Sequence, residues 1–103
     1  MPFEYSIARS EQRIPMEIGV VLDGHVALPG TEKTFTENVS ARGARIRTIR
    51  RWVLNDRLKI QSAAGDFRSL ARVAYCQSLR GAGYAIGVEF LERCGRWVVQ
   101  SKK

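Results

Sequence analysis

Apolar residues in this chain recur at every second position, in short runs separated by glycine-bearing turns. Ile14, Met16, Ile18, Val20 and Leu22 alternate without a break. A period of two lines one face of a strand and is incompatible with a helical stripe. Asp23-Gly24 and Pro29-Gly30 punctuate the chain, with Val26 and Leu28 extended between them and the β-branched run Thr34-Phe35-Thr36 beyond. Ala44, Ile46 and Thr48 alternate with Arg45 and Arg47, which makes a half-buried strand with a basic outer face. Leu58, Ile60 and Ser62 alternate with Arg57, Lys59 and Gln61; Phe67 to Cys76 and Tyr84 to Phe90 repeat the pattern on either side of Gly81-Ala82-Gly83.

About six strands, with turns every ~8–12 residues, indicate a sandwich or a barrel. An open sheet of this size would leave long edges and one bare face, which closure removes. The expectation is an all-β, small six-stranded antiparallel β-barrel. Beyond Leu91 the alternation fails. There Leu91, Trp97 and Val98 suit a short C-terminal helix or a last strand, Gly95 counting against the helix. The 103 residues read as one domain: an N-terminal arm over residues 1–13, the barrel over 14–91 and a C-terminal segment over 92–103. Tyr75, Tyr84 and Phe90 read as core, Trp52 as a cap on the core, Cys76 as a small half-buried hydrophobe, and His25 as exposed and idle.

Seventeen basic and ten acidic side chains give a net charge of +7, which favours an anionic partner. Cys76, Cys94 and the single His25 form no metal-ligand pattern, so neither metal nor cofactor is expected. Asp23, Asp56 and Asp66 all stand in turn contexts, and no nucleophile, base and acid are arranged for catalysis; the chain reads as a non-enzyme. Met1 to Ser10 carries Glu4 and Arg9 with no continuous apolar stretch, and no run approaches the ~20 residues of a membrane span, so the expectation is a cytoplasmic chain.

Two short segments carry chemistry. Arg9-Ser10-Glu11-Gln12-Arg13 places two arginines four apart, just before the first strand. Asn38-Val39-Ser40-Ala41-Arg42-Gly43 is an Asn-x-Ser-x-x-Gly run just before the strand of Ala44 and Ile46. A guanidinium fork donates bidentately to phosphate oxygens, matches the O6 and N7 acceptors of guanine, and stacks on a base. Asn38 and Ser40, two apart, project to the same side and offer an amide and a hydroxyl. Gly43 permits positive φ or a close approach of backbone.

With Gly87-Val88-Glu89-Phe90 further on, the sequence resembles the PilZ family of cyclic di-GMP receptors, which show Arg-x-x-x-Arg, then Asp/Asn-x-Ser-x-x-Gly, then Gly-Val-x-Phe. The resemblance spans about Ala8 to Leu91. It implies a ligand site of Arg9, Arg13, Asn38, Ser40 and Gly43, with Ala8, Val39 and Arg42 as additional neighbours. In that family the residue before the first motif arginine bears on whether one ligand or an intercalated pair is held; Ala8 there leans toward one. The implied function is a receptor that reorders its N-terminal arm on binding cyclic di-GMP and signals through a partner protein. Two other readings stand beside it. One is a basic barrel binding nucleic acid through Arg42, Arg45, Arg47, Arg50, Arg51 and Trp52; the other is a PilZ-like adaptor without nucleotide.

Overall fold

The computed structural model describes residues 12–99. Arg9 and Ala8 lie outside the described residues. Seven strands follow in order: β1 (Ile14–Pro15), β2 (Gly19–Asp23), β3 (Glu32–Ser40), β4 (Gly43–Thr48), β5 (Arg57–Ser62), β6 (Phe67–Ser78) and β7 (Tyr84–Gly95). Every pairing is antiparallel. The sheet runs β3-β2-β5-β6-β7-β4, and β4 returns to β3, closing a six-stranded barrel; β1 is an extra strand on β3.

The barrel follows from the alternation. In β5, Leu58, Ile60 and Ser62 are buried while Arg57, Lys59 and Gln61 are exposed. In β4, Ala44, Ile46 and Thr48 are buried, and Arg45 and Arg47 stand outside. Val20, Leu22, Val39, Val73, Ile86 and Val88 complete the interior. Each end is plugged by a tryptophan. Trp52 of the β4–β5 loop is 2% exposed, and its Nε1–H donates to Thr48 Oγ1. At the other end Trp97 packs against Phe67 and Phe90, with ring centroids 4.7 and 4.9 Å away. Its Nε1–H donates to the Ser40 carbonyl at 2.8 Å.

Several expectations are corrected. The described chain has no helix; β7 runs on to Gly95, and Trp97 reaches the core from an irregular segment. The positive φ of Gly95 (97°) turns the backbone there, and a β-carbon would strike the Asp66 carbonyl. The first apolar run is two strands, not one. Pro15 has no N–H for the ladder, and residues 16–18 leave the regular pairing while keeping two backbone bonds to β3, Met16 N to Glu37 O at 3.3 Å and Thr36 N to Ile18 O at 3.0 Å. Thr36 bridges the gap, its Oγ1 accepting from Ile18 N at 2.9 Å and donating to Met16 O at 2.7 Å. Val26 and Leu28 lie in a loop, 80% and 46% exposed.

Tyr75 is not core. The β6–β7 register shifts between Val73 and Tyr75, which turns the ring outward at 36% exposure. Tyr84 is half-buried, whereas Phe90 is core. His25 is not idle: its Nδ1 accepts from the N–H groups of Ala27 and Leu28, its Nε2 lies 2.8 Å from Arg51 O, and its ring meets Trp52 edge-on. No described helix is long and apolar enough to cross a membrane.

Candidate functional site

The barrel interior is filled with side chains, so a ligand must be held on the outer wall. The two sequence motifs meet there because β1 lies along β3. Ile14 pairs with Val39 and Pro15 with Asn38, so the preceding residue, Arg13, comes alongside the Asn38–Ser40 end of β3 and its long side chain can reach back to Asn38. Arg13 Nη1 donates to Asn38 Oδ1 at 2.8 Å.

The local path of β3 decides what faces out. Thr36 pairs with Ile46 and Asn38 with Arg45, so Glu37 is the extra residue of a β-bulge. The bulge resets the alternation: Val39 points into the core at 0% exposure, and Asn38 and Glu37 both lie on the wall. The Val39 side chain therefore belongs to the core and does not face the site. Glu37 is occupied by two cations, Arg45 Nε at 2.7 Å and Arg47 Nη1 at 3.3 Å. Arg45 also donates to the Tyr75 hydroxyl at 3.1 Å. The Glu37 contact first, and the Tyr75 contact second, raise Arg45 above its ordinary value, so it is a permanent cation.

β3 and β4 are joined through Ala41-Arg42, with Ser40 paired to Gly43. Gly43 does not have positive φ. Its backbone instead approaches β7, and a β-carbon there would overlap the Val88 carbonyl oxygen. Of the two reasons a glycine could be needed here, close approach is the operative one. Ser40 is 1% exposed, and its hydroxyl makes only a long 3.4 Å bond to the Gly43 carbonyl. Arg42 is exposed, and its side chain makes no hydrogen bond or ion pair among the described residues; its carbonyl accepts from Phe90 N at 2.8 Å.

Arg13, Ser40, Arg42 and Gly43 open onto one hollow of about 270 Å³, whose far wall includes Arg72, Tyr75 and Glu89. Three guanidinium groups face one carboxylate across it, and Glu89 is already held by Arg72 at 2.6 Å. Sequence reasoning missed Arg72 and Tyr75, which come from β6 and carry no motif. A larger hollow of about 520 Å³ lies over β2, β5, β6 and β7, but its charges are mixed, with Asp23 and Glu92 among Lys59, Arg68 and Arg93. The smaller one is the candidate because both motifs reach it and its one carboxylate, Glu89, is already held by Arg72. No three His, Cys, Asp or Glu side chains among the described residues are placed to hold a metal ion.

No family model and no curated protein match this chain.

The rest of the basic stretch is organised differently. Arg50 clasps the carbonyls of Leu28 and Gly30 at 3.2 and 3.1 Å. With Arg45 and Arg47 tied to Glu37 and Trp52 buried, the stretch offers no exposed tryptophan ring for a base to stack on.

Proposed function

We propose that this chain is a PilZ-type receptor for cyclic di-GMP, acting in the bacterial cytoplasm. The observation that supports the reading is the convergence of Arg13, from the arginine pair, with Ser40, Arg42 and Gly43 around one cationic hollow, with Asn38 beside it accepting from Arg13. The pieces lie about a quarter of the chain apart in sequence, and a β-ladder joins them.

Each group has a task that its chemistry suits. Arg13 exchanges Asn38 Oδ1 for a phosphate or for the O6 and N7 edge of guanine, both of which accept two parallel N–H bonds. Freed from Arg13, Asn38 offers donor and acceptor to a base edge, and Ser40 adds a hydroxyl. Arg42 screens a phosphate. Gly43 lets β4 sit down on β7 and so sets the floor of the hollow. Arg9 is the second guanidinium of the clamp, and Ala8, which precedes it, suits a single bound ligand. Closing the arm over the ligand changes the outer wall, and a partner protein reads the change. The chain catalyses nothing in this scheme.

Isothermal titration of the full chain with cyclic di-GMP tests it. Wild type gives saturable heat, Arg13→Ala weakens binding about ten-fold or more, and Arg9→Ala/Arg13→Ala abolishes it. Absence of heat from folded wild-type protein rejects the receptor and leaves the adaptor reading. An oligonucleotide titration that survives the double substitution, with a steep salt dependence, favours the nucleic-acid reading instead.

A further inference from the structure

The end of the barrel built by the β2–β3, β4–β5 and β6–β7 loops carries a concentration of exposed aliphatic side chains. Val26 is 80% exposed, Ile49 78%, Val53 62%, Leu54 59% and Leu28 46%. Isolated exposed hydrophobes are ordinary, but several on adjoining loops mark a contact surface.

These loops are fixed to one another. His25 reaches Arg51 O, and Arg50 clasps the carbonyls of Leu28 and Gly30. Gly83 of the third loop lies against the backbone of Thr48 and Ile49. The aliphatic groups are thus held outward by structure rather than left on a loose tail.

Charge decides the partner. Residues 24–31 and 49–55 contain no acid, while Arg50, Arg51 and Arg80 are all at this end. Of the three carboxylates that flank these loops, Glu32 accepts from Thr48 Oγ1 and Ile49 N, Asp56 accepts from Val53 N, and Asp23 lines the larger hollow on the wall, paired across the ladder with Lys59. Neither of the two hollows on the wall is lined by any of the five aliphatic residues. A lipid interface requires no trough. It takes single aliphatic side chains between headgroups and holds arginines at the phosphate level. We infer that this end of the barrel docks on the surface of an anionic phospholipid bilayer, inserting Val26, Ile49 and Val53 beside Arg51 and Arg80.

The test is co-sedimentation of the full chain with vesicles. One set contains equal parts phosphatidylglycerol and phosphatidylcholine, the other phosphatidylcholine alone. Wild type pellets with the anionic set and remains in the supernatant with the neutral one. Val26→Asp/Ile49→Asp lowers the partition coefficient roughly ten-fold or more, and Arg51→Ala/Arg80→Ala roughly twenty-five-fold, since each arginine near such a surface contributes about five-fold. Both aliphatic positions are largely exposed, so the melting temperature should hold; if it falls, Val26→Ser/Ile49→Ser replaces the pair. Wild type that stays in the supernatant with both sets overturns the inference and leaves a protein partner for this end. Equal pelleting with both sets, or unchanged pelleting of the aliphatic variant, overturns it as well. Cyclic di-GMP titration of the same variants reports on the opposite part of the molecule, so the two proposals fail separately.

Discussion

The ring of Tyr75 lies directly on Gly87. A β-carbon at Gly87 would overlap three of its atoms. The contact seals the outer face of β7 where Gly-Val-Glu-Phe passes beneath the hollow, and it leaves the Tyr75 hydroxyl to accept from Arg45. Gly87→Ala should therefore push out a partly exposed ring rather than break the backbone, at about 1–2 kcal/mol. Tyr75→Ala in the same chain should recover most of that loss. A double-mutant cycle by urea denaturation reads the coupling; additive effects would mean that the ring is not what the methyl meets.

Gly43 presents the opposite case, since its obstacle is the Val88 backbone and cannot swing aside. Gly43→Ala is expected to destabilise by about 3 kcal/mol, at the high end for overpacking, and to shift the urea midpoint accordingly. Retention of the wild-type midpoint would show that β4 and β7 can separate freely.

Thr36 is buried and makes two hydrogen bonds across the interrupted first strand. Thr36→Val keeps the shape and leaves Ile18 N and Met16 O without that partner, a cost of about 1–3 kcal/mol. Thr36→Ser should retain most of the stability. Amide exchange at Ile18 should quicken in the valine variant and not in the serine one.

Arg45 bears on the pH dependence. Glu37, and then Tyr75, hold its folded value above the ordinary one. A raised value means that the stabilisation is complete below the ordinary, strongly alkaline value and fades only as pH climbs through the folded one. The stability lost in Arg45→Ala, about 0.2–1 kcal/mol for an ion pair on the outer wall, should thus be constant from about pH 7 to about pH 9. Urea unfolding of both proteins at each pH checks it; a difference that shrinks across that window would contradict the assignment.

Asn38→Asp would turn the contact from Arg13 into an ion pair. The expected gain is a few tenths of a kcal/mol up to about 1 kcal/mol, and it should disappear in high salt. Thermal melts at low and high ionic strength separate this from a change in packing.

The sequence announces those strands whose ladders are regular. β4 and β5 alternate as Ala44-Arg45-Ile46-Arg47 and Leu58-Lys59-Ile60-Gln61 suggest, because nothing interrupts their period. Errors gather where the ladder is irregular. The shift after Val73 turned Tyr75 outward, and Pro15 with the Glu37 bulge divided the first apolar run. Val26 and Leu28 are spaced like strand residues, yet their loop is turned by His25 from within and held by Arg50 from the next loop. The motif residues were readable as types; their meeting was implied by the resemblance alone and not by any local pattern. Arg13 reaches Asn38 only through pairing of segments 25 residues apart, which no local pattern encodes. Arg72 and Tyr75 are likewise brought to the hollow by register alone.

Trp97 has a consequence for how the molecule is made. Phe67 and Phe90 pack on each other but gain the third ring of their cluster only after residue 97 has emerged, and the Ser40 carbonyl waits more than fifty residues for its donor. A chain growing from its N-terminus therefore passes most of its synthesis as an unsealed cylinder with apolar residues uncovered. The fold closes late, near the completion of β7, and a ribosome-stalled chain that stops short of that tryptophan should be the protease-sensitive species.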